Sequence, residues 1–303
     1  MNKNSKSAFV TIAGRANAGK SSLLNALVGE KIAAVSDKPQ TTRTKITGVL
    51  TEGDTQFVFM DTPGMHKAKN KLSEHMIKTV NETVTGVDII LLVCDCTKKV
   101  SDNERNLIAA FKAGKTKVIL VLNKIDLISD RDKDLLIERL AEYSALYDFL
   151  EVIPVSVLNN EGLDIIMRVL NENAVEGPHY FPDDKFTDQP EKVLMSEIIR
   201  EKALNNLNEE VPHGVAVTIE RLNEREDRNG EPIMDVEATI FCERDSHKGI
   251  LIGKGGSMLK KIGQEARIDL EDFFQIKVNL QCWVKVKEGW RNREGMIKNF
   301  GLS

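Results

Sequence analysis

The sequence predicts two domains: an α/β domain on a mostly parallel sheet with helices on both faces, and a smaller α+β domain behind it. Three observations carry this. Short, nearly continuous apolar strands alternate with amphipathic stretches from residue 8 to about residue 173. The alternation stops at a stretch rich in proline and aspartate, 176–190, and beyond it the order becomes helix, strand, strand, helix, glycine turn, helix, strand. Strands buried on both faces lose the apolar–polar alternation of half-exposed ones, and repeated strand–helix units are the pattern of a covered parallel sheet.

In the first part, strands are expected at 8–13, 46–51, 57–60, 88–94, 117–122 and 152–155, with helical stretches such as 20–28, 103–113 and 132–147 between them. Pro178, Pro182 and Pro190, interleaved with Asp183, Asp184 and Asp188, make 176–190 read as a connector. After it come a helix at 193–207, strands at 214–222 and 233–242, a helix at 257–270, a strand at 275–286 and a tail at 290–300. The domain boundaries are therefore 1–175 and 191–303 around the linker. At 303 residues, 41% hydrophobic and 29% charged, the chain is long enough for two cores.

Composition excludes several classes. The longest apolar run, 89–94, has the length of a strand and falls far short of the roughly 20 residues that cross a bilayer. The polar first residues and the short apolar 9–14 do not form an export signal. Cys94, Cys96, Cys242 and Cys282 make no C-x-x-C pair and have no histidine at ligand spacing, so buried thiols in a reducing cytosol without zinc are expected. A net charge of −4 gives no global polyanion signature, and any nucleic-acid binding has to come from a local patch.

Gly14-Arg15-Ala16-Asn17-Ala18-Gly19-Lys20-Ser21 fits G-x-x-x-x-G-K-[ST] between a predicted strand and helix. That chemistry needs glycines so that backbone N–H groups wrap phosphates, a lysine for the β- and γ-phosphates, and a hydroxyl for Mg²⁺. Asp61-Thr62-Pro63-Gly64 ends a strand, setting Asp61 beside the Mg²⁺ shell and offering the Gly64 N–H to a γ-phosphate. Between the two motifs lies Pro39-Gln40-Thr41-Thr42-Arg43, a polar stretch whose threonine can close over metal and phosphate. Asn123-Lys124-Ile125-Asp126 follows another apolar strand, and a carboxylate at Asp126 accepts both guanine N1–H and N2–H₂, which adenine cannot offer. GTP is thus the expected nucleotide, with Asn123 and the Lys124 stem framing the base and Ser156-Val157-Leu158 in the remaining base-contact loop.

These elements in this order resemble the translation-factor class of small G proteins. Residues 243–256, from Glu243 through His247-Lys248-Gly249-Ile250-Leu251-Ile252 to Gly253-Lys254-Gly255-Gly256, narrow the likeness to the Era family, with its P-loop GTPase domain and type II KH domain. The resemblance spans essentially the whole chain. It implies a monomeric GTPase whose KH domain binds the 3′ end of 16S rRNA in assembly and maturation of the 30S subunit, with a link to growth control. It also implies a cytoplasmic location with peripheral contact at the inner membrane. Lys20, Thr42, Asp61 and Gly64 are the expected catalytic set, and Ser21, Thr42 and Asp61 the Mg²⁺ ligands; Thr42 is favoured over Thr41 because it adjoins Arg43, as in related G proteins.

Two residues bear on mechanism. Met65 stands where Ras-like proteins carry the glutamine that orients the attacking water, so hydrolysis is expected to be slow or assisted. Asn17 resembles the asparagine with which related proteins help hold K⁺ against the phosphates, although the sequence shows no complete ion cage. In the base loop Val157 replaces the usual alanine, which leaves its backbone N–H intact.

In KH domains a G-x-x-G loop clamps the phosphates of a single strand, because glycine lets backbone approach them closely. Gly253-Lys254-Gly255-Gly256 fits that role, with Ile250, Leu251 and Ile252 beside it as lining of a base groove. Residues 191–303 carry 18 basic and 20 acidic side chains, yet Lys248, Lys254, Lys260, Lys261 and Arg267 gather around the loop against Glu265 alone. A second basic stretch, Lys285, Lys287, Arg291, Arg293 and Lys298 around Trp283 and Trp290, is open to two readings: a surface for RNA or anionic membrane, or a solvated face. Two other functions stay open: an RNA-binding adaptor that holds nucleotide with negligible turnover, and a membrane or signalling GTPase, for which no lipidation motif is present.

Overall fold

The computed structural model describes residues 5–64, 70–84, 86–129 and 132–302; Met65 lies outside them. Two compact units emerge. One holds most of the chain up to Asp188; the other holds Gln189–Ser303 together with Ala33–Thr41 and a short stretch at the start of the second helix.

The first unit runs β1 (Lys6–Ala13), α1 (Lys20–Val28), β2 (Ile46–Glu52), β3 (Thr55–Asp61), α2 (Lys71–Val84), β4 (Ile89–Asp95), α3 (Asp102–Gly114), β5 (Lys117–Asn123), α4 (Lys133–Ser144), β6 (Glu151–Val155), α5 (Leu163–Asn173) and β7 (Val175–Glu176). Its sheet has the order β2-β3-β1-β4-β5-β6, with β7 added on β1. β2 and β7 pair antiparallel and the other ladders are parallel. All seven residues of β4 are buried, as its unbroken apolar run requires in a sheet covered on both faces. Ser101 and Glu104 close a capping box at the start of α3, satisfying backbone N–H groups that the helix cannot. Cys94 and Cys96 are wholly buried, and burial pushes both thiols up, Cys96 to about 11.

The stretch 176–190 connects the units, and much of it is bonded to the first. Gln56 Nε2 donates to Phe181 O and its Oε1 accepts from Tyr180 N, Val49 N donates to Phe186 O, and Thr187 Oγ1 donates to Thr47 O. Its irregular sequence reflects a strap held by buried polar partners, a pairing between residues far apart that local composition does not encode.

The second unit runs α6 (Glu191–Asn206), β8 (Ala216–Glu226), β9 (Pro232–Cys242), α7 (Asp245–Ile252), α8 (Ser257–Phe274), β10 (Lys277–Val286) and α9 (Glu294–Asn299). The sheet order is β10-β9-β8, β10 parallel to β9 and β8 antiparallel. Met195 and Ile199 of α6, Val236 and Ile240 of β9, Leu251 of α7, and Ile262 and Leu270 of α8 share one core. β8 continues four residues past its expected end, because Asp227 Oδ1 accepts from the N–H groups of Asn229 and Glu231 and closes a tight hairpin. Arg225 then pairs with Asp235 across the ladder.

Candidate functional site

Four of the motifs, Gly14–Ser21, Asp61–Gly64, Asn123–Asp126 and Ser156–Leu158, sit at the carboxyl ends of β1, β3, β5 and β6, and the fifth, Pro39–Arg43, lies in the loop that leads into β2. In an open α/β sheet that edge is where ligands bind, beside the point at which strand order reverses. Here the reversal falls at β1, which has β3 on one side and β4 on the other.

At the P-loop, Gly14 has φ 146°, and a Cβ there would lie 2.2 Å from the Val93 carbonyl oxygen, so only glycine passes. Asn17 is exposed at φ 63°. The first turn of α1 has no side-chain cap, leaving its N–H groups to an anion. Lys20 is buried and its Nζ donates to Arg15 O at 3.0 Å. Gly64 packs directly on this loop, since a Cβ on it would stand 2.7 Å from Ala16 Cα. Thr62, which donates through Oγ1 to Ile12 O at 3.0 Å, fastens Asp61-Thr62-Pro63-Gly64 to β1.

Ser21, Thr42 and Asp61 converge. Ser21 Oγ donates to Asp61 Oδ2 at 2.6 Å and lies 2.7 Å from Thr42 Oγ1, which is itself 3.3 Å from Asp61 Oδ2. Thr41 turns the other way, its hydroxyl donating to Lys38 O at 2.6 Å. Burial pushes the Asp61 carboxyl up against the opposing pull of Lys20, Ser21, Thr42 and Thr62, and burial lowers the Lys20 ammonium despite Asp61 beside it. Asp61 Oδ1 is buried without a hydrogen-bond partner. Two hydroxyls and a carboxylate with an unpaired oxygen are hard donors that fit Mg²⁺.

The residues expected to contact the base brace one another. Asn123 Nδ2 donates to Ala18 O at 2.9 Å, tying this motif to the P-loop, while Val157 N donates to Asn123 Oδ1 at 3.2 Å. Ser156 Oγ donates to Asp126 Oδ1 at 2.6 Å and so fixes the carboxylate. Leu158 is exposed. Sequence reasoning missed Asp95. Its Oδ2 accepts from Lys124 Nζ at 2.8 Å and its Oδ1 accepts from Thr97 Oγ1 at 2.6 Å, which anchors the lysine stem. Burial raises the Asp95 carboxyl, but the bonds from Lys124 and Thr97 outweigh it and carry the group below its usual range. The available signal was its place between Cys94 and Cys96 at the end of an apolar strand.

In the second unit Gly253, at φ 72°, ends α7, and Lys254, Gly255 and Gly256 lead into α8. Residues 250–252, expected beside the loop as lining of a base groove, form the last turn of α7. Helical spacing separates its three side chains: Leu251 is 0% exposed in the core, Ile250 is 50% exposed and Ile252 lies between. Leu251 therefore does not line a groove. A cleft of about 530 Å³ opens beside the loop, walled by Gly256, Leu259, Lys260, Gly263, Gln264 and Arg267 of the α8 face and by Leu280 and Cys282 of β10. Lys248 sits half-buried on α7, and Lys254 and Lys260 are exposed. Of the cleft residues, Lys260 and Arg267 were among the basic residues expected near the loop, whereas Leu259, Gly263, Gln264 and Leu280 were not singled out from sequence and Cys282 only as a thiol, although their helical and period-two spacings were legible.

The second basic stretch reads differently in three dimensions. Trp290 is 0% exposed, its Nε1 donates to Gly214 O at 2.9 Å, and its ring meets Phe300 edge-on. Arg291 is paired with Glu243. Trp290 thus seals the unit from within and offers no stacking face, while Trp283 stays exposed.

Comparison with known proteins agrees with this geometry. A family described as 50S ribosome-binding GTPase matches residues 9–124, and the KH domain family matches 210–291. GTPase Era of Clostridioides difficile strain 630 is 51% identical over 98% of this chain and 99% of its own, and GTPase Era of Thermoanaerobacter sp. strain X514 is 48% identical over 98% and 97%. The crystal structure of an Era in complex with MgGDPNP and nucleotides 1506–1542 of 16S ribosomal RNA superposes with a TM-score of 0.91 at 34% identity, over 99% of both chains. An Aquifex aeolicus Era variant bound to GDP and AlF₄⁻ gives 0.92 at 33% identity, over 98% and 99%. With about half its residues shared over nearly its full length, and a GTPase domain followed by a KH domain, the chain belongs to the Era family of GTPases.

Proposed function

We propose that this protein hydrolyses GTP at the P-loop and uses the cleft beside Gly253–Gly256 to hold the 3′ end of 16S rRNA during assembly of the 30S subunit. The observation that carries the nucleotide half is the convergence of Ser21, Thr42 and Asp61, with a buried unpartnered oxygen on Asp61. For the RNA half, the support is the basic cleft and the relative crystallised on a 16S fragment.

Each residue then has a task. Lys20 neutralises charge on the β- and γ-phosphates, the Gly64 N–H meets the γ-phosphate, and Asp126 reads guanine while Asn123, Lys124, Ser156 and Val157 hold the base. Ser21, Thr42 and Asp61 would hold Mg²⁺, which would supply positive charge to offset that of the phosphates. Asn17 offers its amide to K⁺, which hydrolysis in KCl and NaCl at equal ionic strength tests. Peripheral membrane contact belongs to the same reading through the exposed Lys285, Lys287, Arg293 and Lys298, and sedimentation with anionic vesicles at two salt concentrations checks it.

The deciding experiment is multiple-turnover hydrolysis with and without a 16S 3′-end oligonucleotide, in wild type and Lys20→Ala. Wild type should turn over, and Lys20→Ala should lose turnover while binding the oligonucleotide as before. Normal hydrolysis by Lys20→Ala refutes the P-loop assignment, and negligible wild-type turnover in both conditions favours a binding adaptor.

A further inference from the structure

Asp95 ends β4, and the parallel ladder sets it opposite Asn123, the last residue of β5. The two strand ends are tied where they leave the sheet, Cys96 N donating to Asn123 O at 3.0 Å. All of these residues lie within the first unit. The Asp95 carboxylate is buried, and both of its oxygens are engaged. Oδ1 accepts from Thr97 N at 3.0 Å as well as from Thr97 Oγ1, which fixes the plane of the group and aims Oδ2 at Lys124 Nζ.

Lys124 is held at both ends. Its backbone has φ 71°, a left-handed conformation that strains a residue with a Cβ, and Leu127 N donates to Lys124 O at 3.0 Å to close the turn. Its ammonium lies 2.8 Å from Asp95 Oδ2. The four-carbon stem is therefore stretched between a turn and a buried anion, which selects one arrangement from the many a lysine can adopt. A free lysine side chain loses more conformational freedom on ordering than most others. A stem ordered before the ligand arrives is spared that loss on binding.

We propose that Asp95 is a positioning residue for nucleotide binding: it holds the Lys124 stem as a ready-made wall for the flat face of the purine. The proposal rests on the reading of Asn123–Asp126 as the guanine-binding motif. Asp95 acts on the ring face through Lys124, whereas Asp126 acts on the ring edge, so the two residues should fail differently. An asparagine at position 95 has one acceptor oxygen where the carboxylate uses two. Whichever way it turns, either Thr97 or Lys124 meets an NH₂, and the stem is released. Having to order that stem on binding should weaken every purine nucleoside diphosphate about tenfold, mostly through faster dissociation, whatever the substituents on the base.

The test is a double-mutant cycle in the full-length protein: wild type, Asp95→Asn, Lys124→Ala and the double variant, with Asp126→Asn as the edge-reading control. Stopped-flow release of a fluorescently labelled GDP gives the rates, and competition by GDP, inosine diphosphate, xanthosine diphosphate and inorganic tripolyphosphate gives the affinities. Asp95→Asn should release labelled GDP about tenfold faster, weaken the three diphosphates by the same factor, leave tripolyphosphate, which has no base, unchanged, and add no further loss to Lys124→Ala. Thr97→Val removes one of the two bonds that orient Oδ1 and should speed release by less. If Asp95→Asn does not fold, unchanged release by Thr97→Val overturns the proposal. Wild-type affinities in both Lys124→Ala and Asp126→Asn overturn the underlying reading of the motif. Impaired Lys124→Ala with unimpaired Asp95→Asn, losses that differ among the three bases, an equal loss for tripolyphosphate, or fully additive losses in the double variant overturn the role of Asp95 alone.

Discussion

Replacing Asp126 with asparagine probes base recognition with the least disturbance of the fold. The side chain is exposed, and its Oδ1 accepts from Ser156 Oγ at 2.6 Å. An asparagine keeps that bond through its carbonyl oxygen and turns its NH₂ toward the base, where guanine N1–H and N2–H₂ are also donors. Two charge-assisted hydrogen bonds at about 1.5–3 kcal/mol each are then lost, about 3–6 kcal/mol together. At about 1.4 kcal/mol per decade this weakens GDP and GTP by two to four orders of magnitude. Xanthine carries an oxygen where guanine carries the 2-amino group, so the new NH₂ finds an acceptor and xanthosine diphosphate should bind tighter than it does to wild type. Calorimetric titration of both nucleotides into wild type and Asp126→Asn measures the exchange. Unchanged GDP affinity, or equal weakening of the two nucleotides, would refute the base-reading role.

The remaining predictions concern the second unit. Changing Lys254 and Gly255 together to aspartate places two negative charges at the loop; a like-charge pair near 4 Å costs about 4 kcal/mol at a surface dielectric, so fluorescence-anisotropy affinity for a 16S 3′-end oligonucleotide should fall at least about a hundredfold. Gly255 has φ 61°, where an aspartate is strained by about 1 kcal/mol, and open space beyond its Cβ, so the melting temperature should fall only by a few degrees and RNA-free hydrolysis should hardly change. Gly263→Leu, in the interior of α8 with nothing within 4 Å of its Cβ, should stabilise the helix by up to about 1 kcal/mol while filling the cleft and abolishing RNA binding; a variant that binds normally places the RNA elsewhere. Trp290→Ala removes a wholly buried indole bonded to Gly214 and should cost about 3–5 kcal/mol of stability in thermal denaturation, with RNA affinity per folded molecule intact. A Trp290→Ala protein that melts like wild type but loses RNA would restore the tail as a binding surface.

Much of the candidate nucleotide site was legible because each motif is a contiguous run whose backbone sets the local geometry. Gly14 and Gly19 bend the chain, the N–H groups of α1 follow, and Asn123-Lys124-Ile125-Asp126 carries its donors and acceptor within four residues. Asp95 was not legible, because its contact with Lys124 joins the ends of β4 and β5, and no local pattern marks which carboxylate at a strand end will meet a lysine from the next strand. The α8 and β10 wall of the cleft was half legible: the spacing was visible, but that the two elements face each other across a gap is a property of packing.

Residues adjacent in the chain suffice for the order of two domains, the loop over Gly14–Ser21 before α1, the turn Asn123–Asp126 after β5 and the glycine turn before α8. Tertiary structure decided the rest. It turned Thr42 toward Ser21 and Asp61 and Thr41 toward Lys38, a choice between neighbours of identical chemistry made by partners 19 and 21 residues away on the Thr42 side. It drew Trp290 into the core, because an indole beside Gly214 and Phe300 gains more by leaving water than by offering a face to a ligand. And it assigned Ala33–Thr41 to the unit that begins at Gln189, through hydrogen bonds spanning more than 150 residues of sequence, a separation at which only the folded chain can bring donor and acceptor together.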